Sequence, residues 1–327
     1  MPELPEVETM RRGLLPIVGG RIISAAVPRT SLQPITFRPD RRTVLRALRG
    51  RCIHDVTRLG KRVVFNLDGG RRLVLEPRMT GRLFLDVTEP ISHVRLVLEI
   101  LPPESETLGS EPSAASLLAA HPTAMPGPVR RVVFRDVRGL GVVWLMDERA
   151  WQRELGPHKI GPDALDIDSA TLRRRLAPRR TAVKVALLDQ KAVAGIGNIY
   201  ASEALHRAKI HPAEPCARLS HRHWRRLHAA IREVLTEAVA LQGSTLTDGT
   251  YGTPSNRAGC YQDRHLVYRR EGRPCLQCGR GVIQRIVLAQ RSTFFCPRCQ
   301  RRLPRRCVGR RRGPSPRSAR PPRNPRD

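Results

Sequence analysis

Two C-x-x-C pairs, Cys275–Cys278 and Cys296–Cys299, bracket seventeen residues near the end of this 327-residue chain. Each pair suits a tight knuckle that presents two thiolates, and together the four complete a tetrahedral all-cysteine site for zinc. All four positions are filled by protein, so one structural zinc ion is expected, and no redox or nucleotide cofactor. Cys52, Cys216, Cys260 and Cys307 have no partners at such spacing and read as ordinary thiols. Eight cysteines in so long a chain do not make a disulfide scaffold, which points to a reducing, cytoplasmic compartment.

The chain has room for two domains of ordinary size. Its 59 Lys and Arg against 29 Asp and Glu leave a formal charge of +30. That excess calls for a polyanionic partner, nucleic acid above all. No apolar run is long enough for a membrane helix. The N-terminus also lacks the basic stretch and apolar core of a secretion signal.

Apolar residues Leu4, Val7, Leu14 and Leu15 recur near helical spacing and predict one helix over 3–18, ended by Pro16 and Gly19-Gly20. The runs RIISAAV, TVLRALR, RVVFNL, RRLVLEP, GRLFLDV, HVRLVLEI, RRVVFRD and GVVWLM read as short strands, with Asp68-Gly69-Gly70 as a hairpin turn. So many short strands predict a sandwich or barrel with the first helix attached. From about residue 151 the pattern turns helical. TAVKVALLDQ and NIYASEALHRAKI are short helices around KAVAGIG. A longer helix begins near Ser220, with Trp224, Leu227, Ile231, Val234 and Leu235 on its apolar face.

These signals divide the chain into a β-rich domain over 1–150, a helical domain over 151–270, a four-cysteine zinc finger over 271–302 and a tail over 303–327. Residues 101–129, rich in Pro, Ser and Ala, read as a mobile loop inserted between two strands. From Arg301 onward eleven Arg and one Asp lie among many Pro, a composition that cannot bury a core. Disorder and nonspecific phosphate affinity are expected of that tail.

PELPEVET at the start, RLGKRVVF, RMTGRL, RDVRGLG, RTAVK, GIGNIYASEAL, GRPCLQC and QRSTFFCPRCQ follow one another along the chain. In this order they resemble the formamidopyrimidine-DNA glycosylases, bacterial enzymes that excise oxidised purines. The resemblance implies an α+β multidomain fold. An N-terminal helix and antiparallel β-sandwich precede a helix–two-turn–helix domain and a zinc-finger β-hairpin. It implies damaged double-stranded DNA as partner, and nothing in the sequence suggests a dimer seam, so a monomer is expected.

The resemblance also assigns roles. Pro2, freed by removal of Met1, is the family's nucleophile at C1′ of the damaged nucleoside. Glu3 is its acid/base partner and Glu6 supports the same site. Lys61 matches the lysine of the later β-elimination, and Arg291 the hairpin arginine that grips phosphates and assists δ-elimination. Met79, Arg138 and Leu140 match the trio that fills the gap left by an everted nucleotide. Asn198 matches the helix–two-turn–helix phosphate ligand; Arg179, Lys184 and His93 match further phosphate contacts. The chain departs from the family pattern at Ile91, which replaces the first of two histidines, at Leu140, where Phe is common, and at Gly139, where Arg is common. Two alternatives stay open. An endonuclease VIII-like enzyme for oxidised pyrimidines usually begins PEGPE, whereas Leu4 and Val7 favour the purine branch. A non-catalytic zinc-ribbon DNA-binding protein would not need Pro2, Glu3 and Lys61 together.

Overall fold

A computed structural model describes residues 2–31, 33–103, 128–246 and 251–304. Most of the 101–129 insertion and nearly all of the basic tail lie outside the described residues.

Helix α1 (Leu4–Gly13) starts with Pro5 in its first turn and a capping box in which the Glu6 carboxylate accepts from the backbone N–H of Glu3. The helix is shorter than expected: a separate 3-10 turn, Leu15–Ile17, follows it, and Leu15 points outward at 41% exposure. Strands β1 (Arg21–Ala26) and β2 (Thr36–Arg38) precede helix α2 (Arg41–Leu48). The run TVLRALR was expected as a strand and lies in α2. Asp40 caps that helix by accepting from Thr43 N–H at 3.0 Å, and Val44 and Leu48, four apart, bury one face.

Strands β3 (Ile53–Leu59), β4 (Arg62–Leu67), β5 (Arg71–Glu76), β6 (Gly81–Leu85), β7 (Val94–Leu101), β8 (Arg130–Asp136) and β9 (Val142–Met146) complete the β region. They form two sheets, in orders β1-β7-β8-β6 and β2-β9-β5-β4-β3, antiparallel throughout except for the parallel β2/β9 pair. The Asp68-Gly69-Gly70 turn joins β4 to β5 as expected, with both glycines at φ near +65°, where a Cβ is strained. Side chains such as Phe65, Leu83, Leu98 and Phe134 fill the space between the sheets.

The rest is helical: α3 (Glu148–Leu155), α4 (Ser169–Leu176), α5 (Val183–Leu187), α6 (Asn198–Arg207) and α7 (His221–Ala240). Ser220 caps α7, and all five apolar residues expected on its inner face are buried. A hairpin of β10 (Gln284–Leu288) and β11 (Arg291–Phe295) ends the described chain. No helix among the described residues is long and apolar enough to cross a membrane.

Helix α1 belongs to both cores. Leu4 packs into the helical core with Tyr200 and Trp224, whereas Val7, Met10 and Leu14 pack into the sandwich. Its Glu8 strengthens the seam. The Glu8 carboxylate accepts from Arg11 Nη2 and Arg12 Nε, both at 2.9 Å, and from Arg58 Nε of β3 at 3.0 Å; Arg58 in turn pairs with Asp163 ahead of α4. Burial alone would raise the Glu8 pKa, but the three guanidinium groups overcome it and hold it at about 2. A carboxyl whose pKa falls on folding stabilises the fold above its unfolded value near 4.5, and that contribution is lost as pH drops through about 2. After solvent screening the effect is about 1–2 kcal/mol. Denaturant titrations should therefore show Glu8→Gln less stable than the parent at pH 7, with the gap closing between about pH 4.5 and 2. A gap that persisted undiminished at the acid end would contradict this assignment.

Candidate active site and nucleic-acid interface

The segment that opens the described chain docks through Glu3 on the start of α6. Pro2 and Glu3 are both inaccessible, and Glu3 is 1% exposed. The Glu3 carboxylate accepts from the backbone N–H groups of Ile199 at 3.0 Å and Tyr200 at 3.4 Å. These are first-turn amides with no partner inside the helix, so a carboxylate from 196 residues away does the work of a local cap. The glycines of GIGN follow from this docking. A Cβ on Gly197 would sit 2.2 Å from Glu3 Cδ, and one on Gly195, at φ +100°, would sit 2.4 Å from Leu4 Cδ1. The N–H of Leu4 also donates to the Gly195 carbonyl at 3.1 Å.

Behind Glu3 lies Glu6, equally buried. Its carboxylate accepts from Glu3 N–H and Ser244 N–H, both at 2.8 Å, and from the Tyr200 hydroxyl. Burial, then the charge of Glu3, push the Glu6 pKa up, and the hydrogen bonds oppose them. Ser244 Oγ continues the chain to His265 Nε2 at 3.1 Å. Tyr200, Ser244 and His265 carried no local sequence signal, because they join this network only through contacts dozens to hundreds of residues apart in the chain.

Lys61 occupies the two-residue turn between β3 and β4, beside Gly60 at φ +57°. Burial lowers its pKa; Glu3 and Glu6 oppose that effect and Arg291 adds to it. Glu3, Glu6 and Arg291 thus all lie within electrostatic reach of Lys61. Arg291 is exposed at the hairpin tip, following Ala289 and Gln290, both in the left-handed region at φ +46° and +61°. Non-glycine residues held there store local strain.

The hairpin is fastened to the helices from below. Asn198 Nδ2 donates to the Ser292 carbonyl at 3.0 Å, and Lys184 Nζ donates to the same carbonyl at 3.1 Å and to Thr293 Oγ1 at 2.8 Å. Lys184 was expected at a phosphate. It is fully buried, and burial brings its pKa down to about 7, so it supports the hairpin from inside instead. Arg179 lies in the loop before α5, half-exposed, paired with Asp189 at 2.8 Å.

The DNA-contact candidates on the sandwich sit at one end of the sheets. Met79 is half-buried in the β5–β6 turn, Arg138 is exposed, and Leu140 is 49% exposed in the β8–β9 connection. His93 precedes β7 at φ +60°, with Nδ1 3.0 Å from Ser92 Oγ. The four cysteine sulfurs lie within 4.8 Å of one another, with Cys275–Cys299 at 3.9 Å and Cys278–Cys296 at 3.8 Å. A tetrahedron of 2.3 Å zinc–sulfur bonds has edges of about 3.8 Å, so the spacing fits that ion.

The docking of Glu3 makes a sharp prediction. Gly197→Ala places a methyl where the Glu3 carboxylate lies, and the yielding atoms are the free end of a side chain. The carboxylate swings off the α6 amides at a stability cost of about 1 kcal/mol, the value of one cap. If Glu3 takes part in chemistry, single-turnover activity is expected to fall about a hundredfold from misplacing that group. Thermal unfolding with single-turnover kinetics measures both, and an active alanine variant would refute the assignment.

Comparison with known proteins agrees with this architecture. Family models described as formamidopyrimidine-DNA glycosylase N-terminal domain, formamidopyrimidine-DNA glycosylase H2TH domain, and zinc finger found in FPG and IleRS match residues 1–112, 155–250 and 272–302. The formamidopyrimidine-DNA glycosylase of Chloroflexus aurantiacus is 38% identical over 92% of this chain and 98% of its own, and that of Thermus thermophilus is 40% identical with the same coverages. The crystal structure of the Thermus thermophilus MutM (FPG) protein superposes with a TM-score of 0.73 at 36% identity, over 93% of this chain and all of that one. A Lactococcus lactis FPG variant in complex with DNA containing Fapy-dG gives 0.75 at 30% identity, over 92% of this chain and all of that one. With a sandwich, a helical core and a four-cysteine finger arranged around a buried N-terminus, the chain belongs to the formamidopyrimidine-DNA glycosylase family, base-excision-repair glycosylases with abasic-site lyase activity.

Proposed function

We propose that this enzyme excises oxidised purines, 8-oxoguanine and formamidopyrimidines, from double-stranded DNA through a Schiff base on Pro2 and then nicks the strand by β,δ-elimination. The observation that carries the reading is the convergence of Pro2, Glu3, Lys61 and Arg291 at the start of α6. Once Met1 is removed, Pro2 is a secondary amine at the chain terminus, and terminal α-amines ordinarily titrate at about 8 against about 10.4 for a lysine, so more of such an amine is neutral at pH 7. Its nitrogen attacks C1′, the bond from C1′ to the base breaks, and the base leaves with the bonding pair and takes up a proton. Opening of the sugar ring, assisted by proton transfer at Glu3, leaves a cationic iminium that serves as the electron sink for elimination. Lys61, its pKa lowered by burial, suits proton transfer in β-elimination, and Arg291 suits a phosphate beside the lesion.

Met79, Arg138 and Leu140 fill the gap left by the everted nucleotide. His93, Arg179 and Asn198 are assigned to the phosphate backbone. Cys275, Cys278, Cys296 and Cys299 hold one structural zinc ion, whose chemistry is to lock the finger that carries Arg291. The enzyme acts as a monomer in the bacterial cytoplasm.

Borohydride trapping on a duplex containing 8-oxoguanine tests the nucleophile. Pro2→Gly is expected to lower excision and trapping by at least about tenfold. An uncleaved extension ahead of Pro2 is expected to abolish trapping, because it turns the amine into an amide. Full trapping by the extended protein would exclude Pro2.

A further inference from the structure

Asp136 is the last residue of β8 and is fully buried. Every polar atom it has is engaged. Its N–H donates to the His93 carbonyl at 3.0 Å, and its carbonyl accepts from Arg95 Nε at 2.8 Å. One carboxylate oxygen accepts from the Thr80 hydroxyl and from Arg138 N–H at 3.3 Å; the other accepts from Gly141 N–H at 2.6 Å. Arg138 N–H also reaches Thr80 Oγ1 at 3.0 Å. Asp136 therefore holds a direct neighbour of Met79, the backbone of His93 and of Arg138, and a direct neighbour of Leu140.

Other ties bracket these loops without joining them: Gly81 N–H donates to the Pro77 carbonyl at 2.8 Å, Arg78 pairs with Glu76, and the Gly141 carbonyl accepts from Thr36 N–H at 3.2 Å. Val137, Arg138 and Leu140 are exposed and contribute nothing to the sandwich core. The local backbone is arranged for the clamp. Gly139 is at φ +67°, and a Cβ on Gly141 would lie 2.8 Å from Phe134 Cζ and 3.1 Å from Asp136 Oδ2. A buried carboxyl group with these donors is specific in direction, whereas packing alone would leave the loop tips free to move.

We propose that Asp136, through Thr80, is a positioning residue that sets the two gap-filling loops in one register, so that Met79, Arg138 and Leu140 enter the duplex together as the damaged nucleotide leaves it. This rests on the reading of those three as gap-fillers. The clamp acts before chemistry, on the step that replaces stacking and pairing. It therefore matters most where the lesion is paired and least where no opposite base has to be left behind.

Single-turnover excision by the full-length enzyme is compared on 8-oxoguanine opposite cytosine and opposite an abasic-site analogue. Thr80→Val removes the hydroxyl at nearly constant shape, Thr80→Ser restores it, and Asp136→Asn places a donor against the Gly141 N–H or, flipped, against the Arg138 N–H. Thr80→Val and Asp136→Asn are expected to slow excision of the paired lesion by about tenfold to a hundredfold. On the unpaired lesion the loss should stay within about threefold, and Thr80→Ser should behave as the parent. Should Asp136→Asn fail to fold, as its melting temperature would reveal, the Val and Ser pair decides alone. Thr80→Val matching Thr80→Ser on the paired lesion, or losing equally on both substrates, overturns the clamp. Met79→Ala and Leu140→Ala separate the two levels. If they slow only the paired lesion while Thr80→Val does not, the gap-filling reading stands and the clamp falls. If they slow neither substrate, both fall.

Discussion

Among the contacts that join the two halves of this enzyme, the carboxylate of Glu3 constrains the most. Glu3 stands next to the proposed nucleophile and satisfies the first-turn amides of α6, an element that begins 195 residues later. Helix N-termini carry partial positive charge and unpaired donors, so an anion there is favourable wherever it comes from. Here it comes from the residue proposed as the acid/base group. The requirement propagates outward. Glu3 can reach the amides only if residues 195 and 197 have no side chain, and only if Leu4 enters the helical core while Val7 and Met10 enter the sandwich.

The same economy recurs at the hairpin. Asn198, the first residue of α6, and Lys184 of α5 converge on one carbonyl, that of Ser292. The start of α6 thus receives Glu3 on one side and the zinc-finger hairpin on the other, and the finger's tip arginine comes within electrostatic reach of Lys61 and Lys184. Metal binding and catalysis need not touch for the metal to matter. Cys275 Sγ lies 3.5 Å from His206 Nε2 on α6, so the knuckle itself leans on the helix that Glu3 caps. Ordering of the finger is in this way tied to the geometry of the site.

What the sequence disclosed depended on the range over which each signal acts. The cysteine spacing, the Ser220 cap and the inner face of α7 are local patterns, and the folded chain carries each of them. The glycines of GIGN were visible as a motif, but their reason was not, since it lies in the side chains of Glu3 and Leu4. Thr43-Val44-Leu45 suggested a strand by its β-branched residues, yet the Asp40 cap and the Val44–Leu48 spacing favour a helix. Strand β3 escaped notice because a register irregularity between Ile53 and Asp55 breaks its alternation. Lys184 matched a phosphate contact of the family; only its bonds to Ser292 and Thr293 of β11 show it to be internal. The Asp136 cluster joins positions up to 58 residues apart, and no periodicity reports it.

The claim that Glu3 caps α6 from a distance is tested most directly by amide hydrogen exchange at Ile199 and Tyr200 in Glu3→Gln. A neutral amide accepts more weakly than a carboxylate and does not complement the helix dipole. Exchange at these two amides should quicken by about fivefold, in line with about 1 kcal/mol for a cap, while amides in the middle of α7 stay protected. Unchanged protection at Ile199 and Tyr200 would contradict the account, because the start of α6 would then be held by something other than the residue beside the proposed nucleophile.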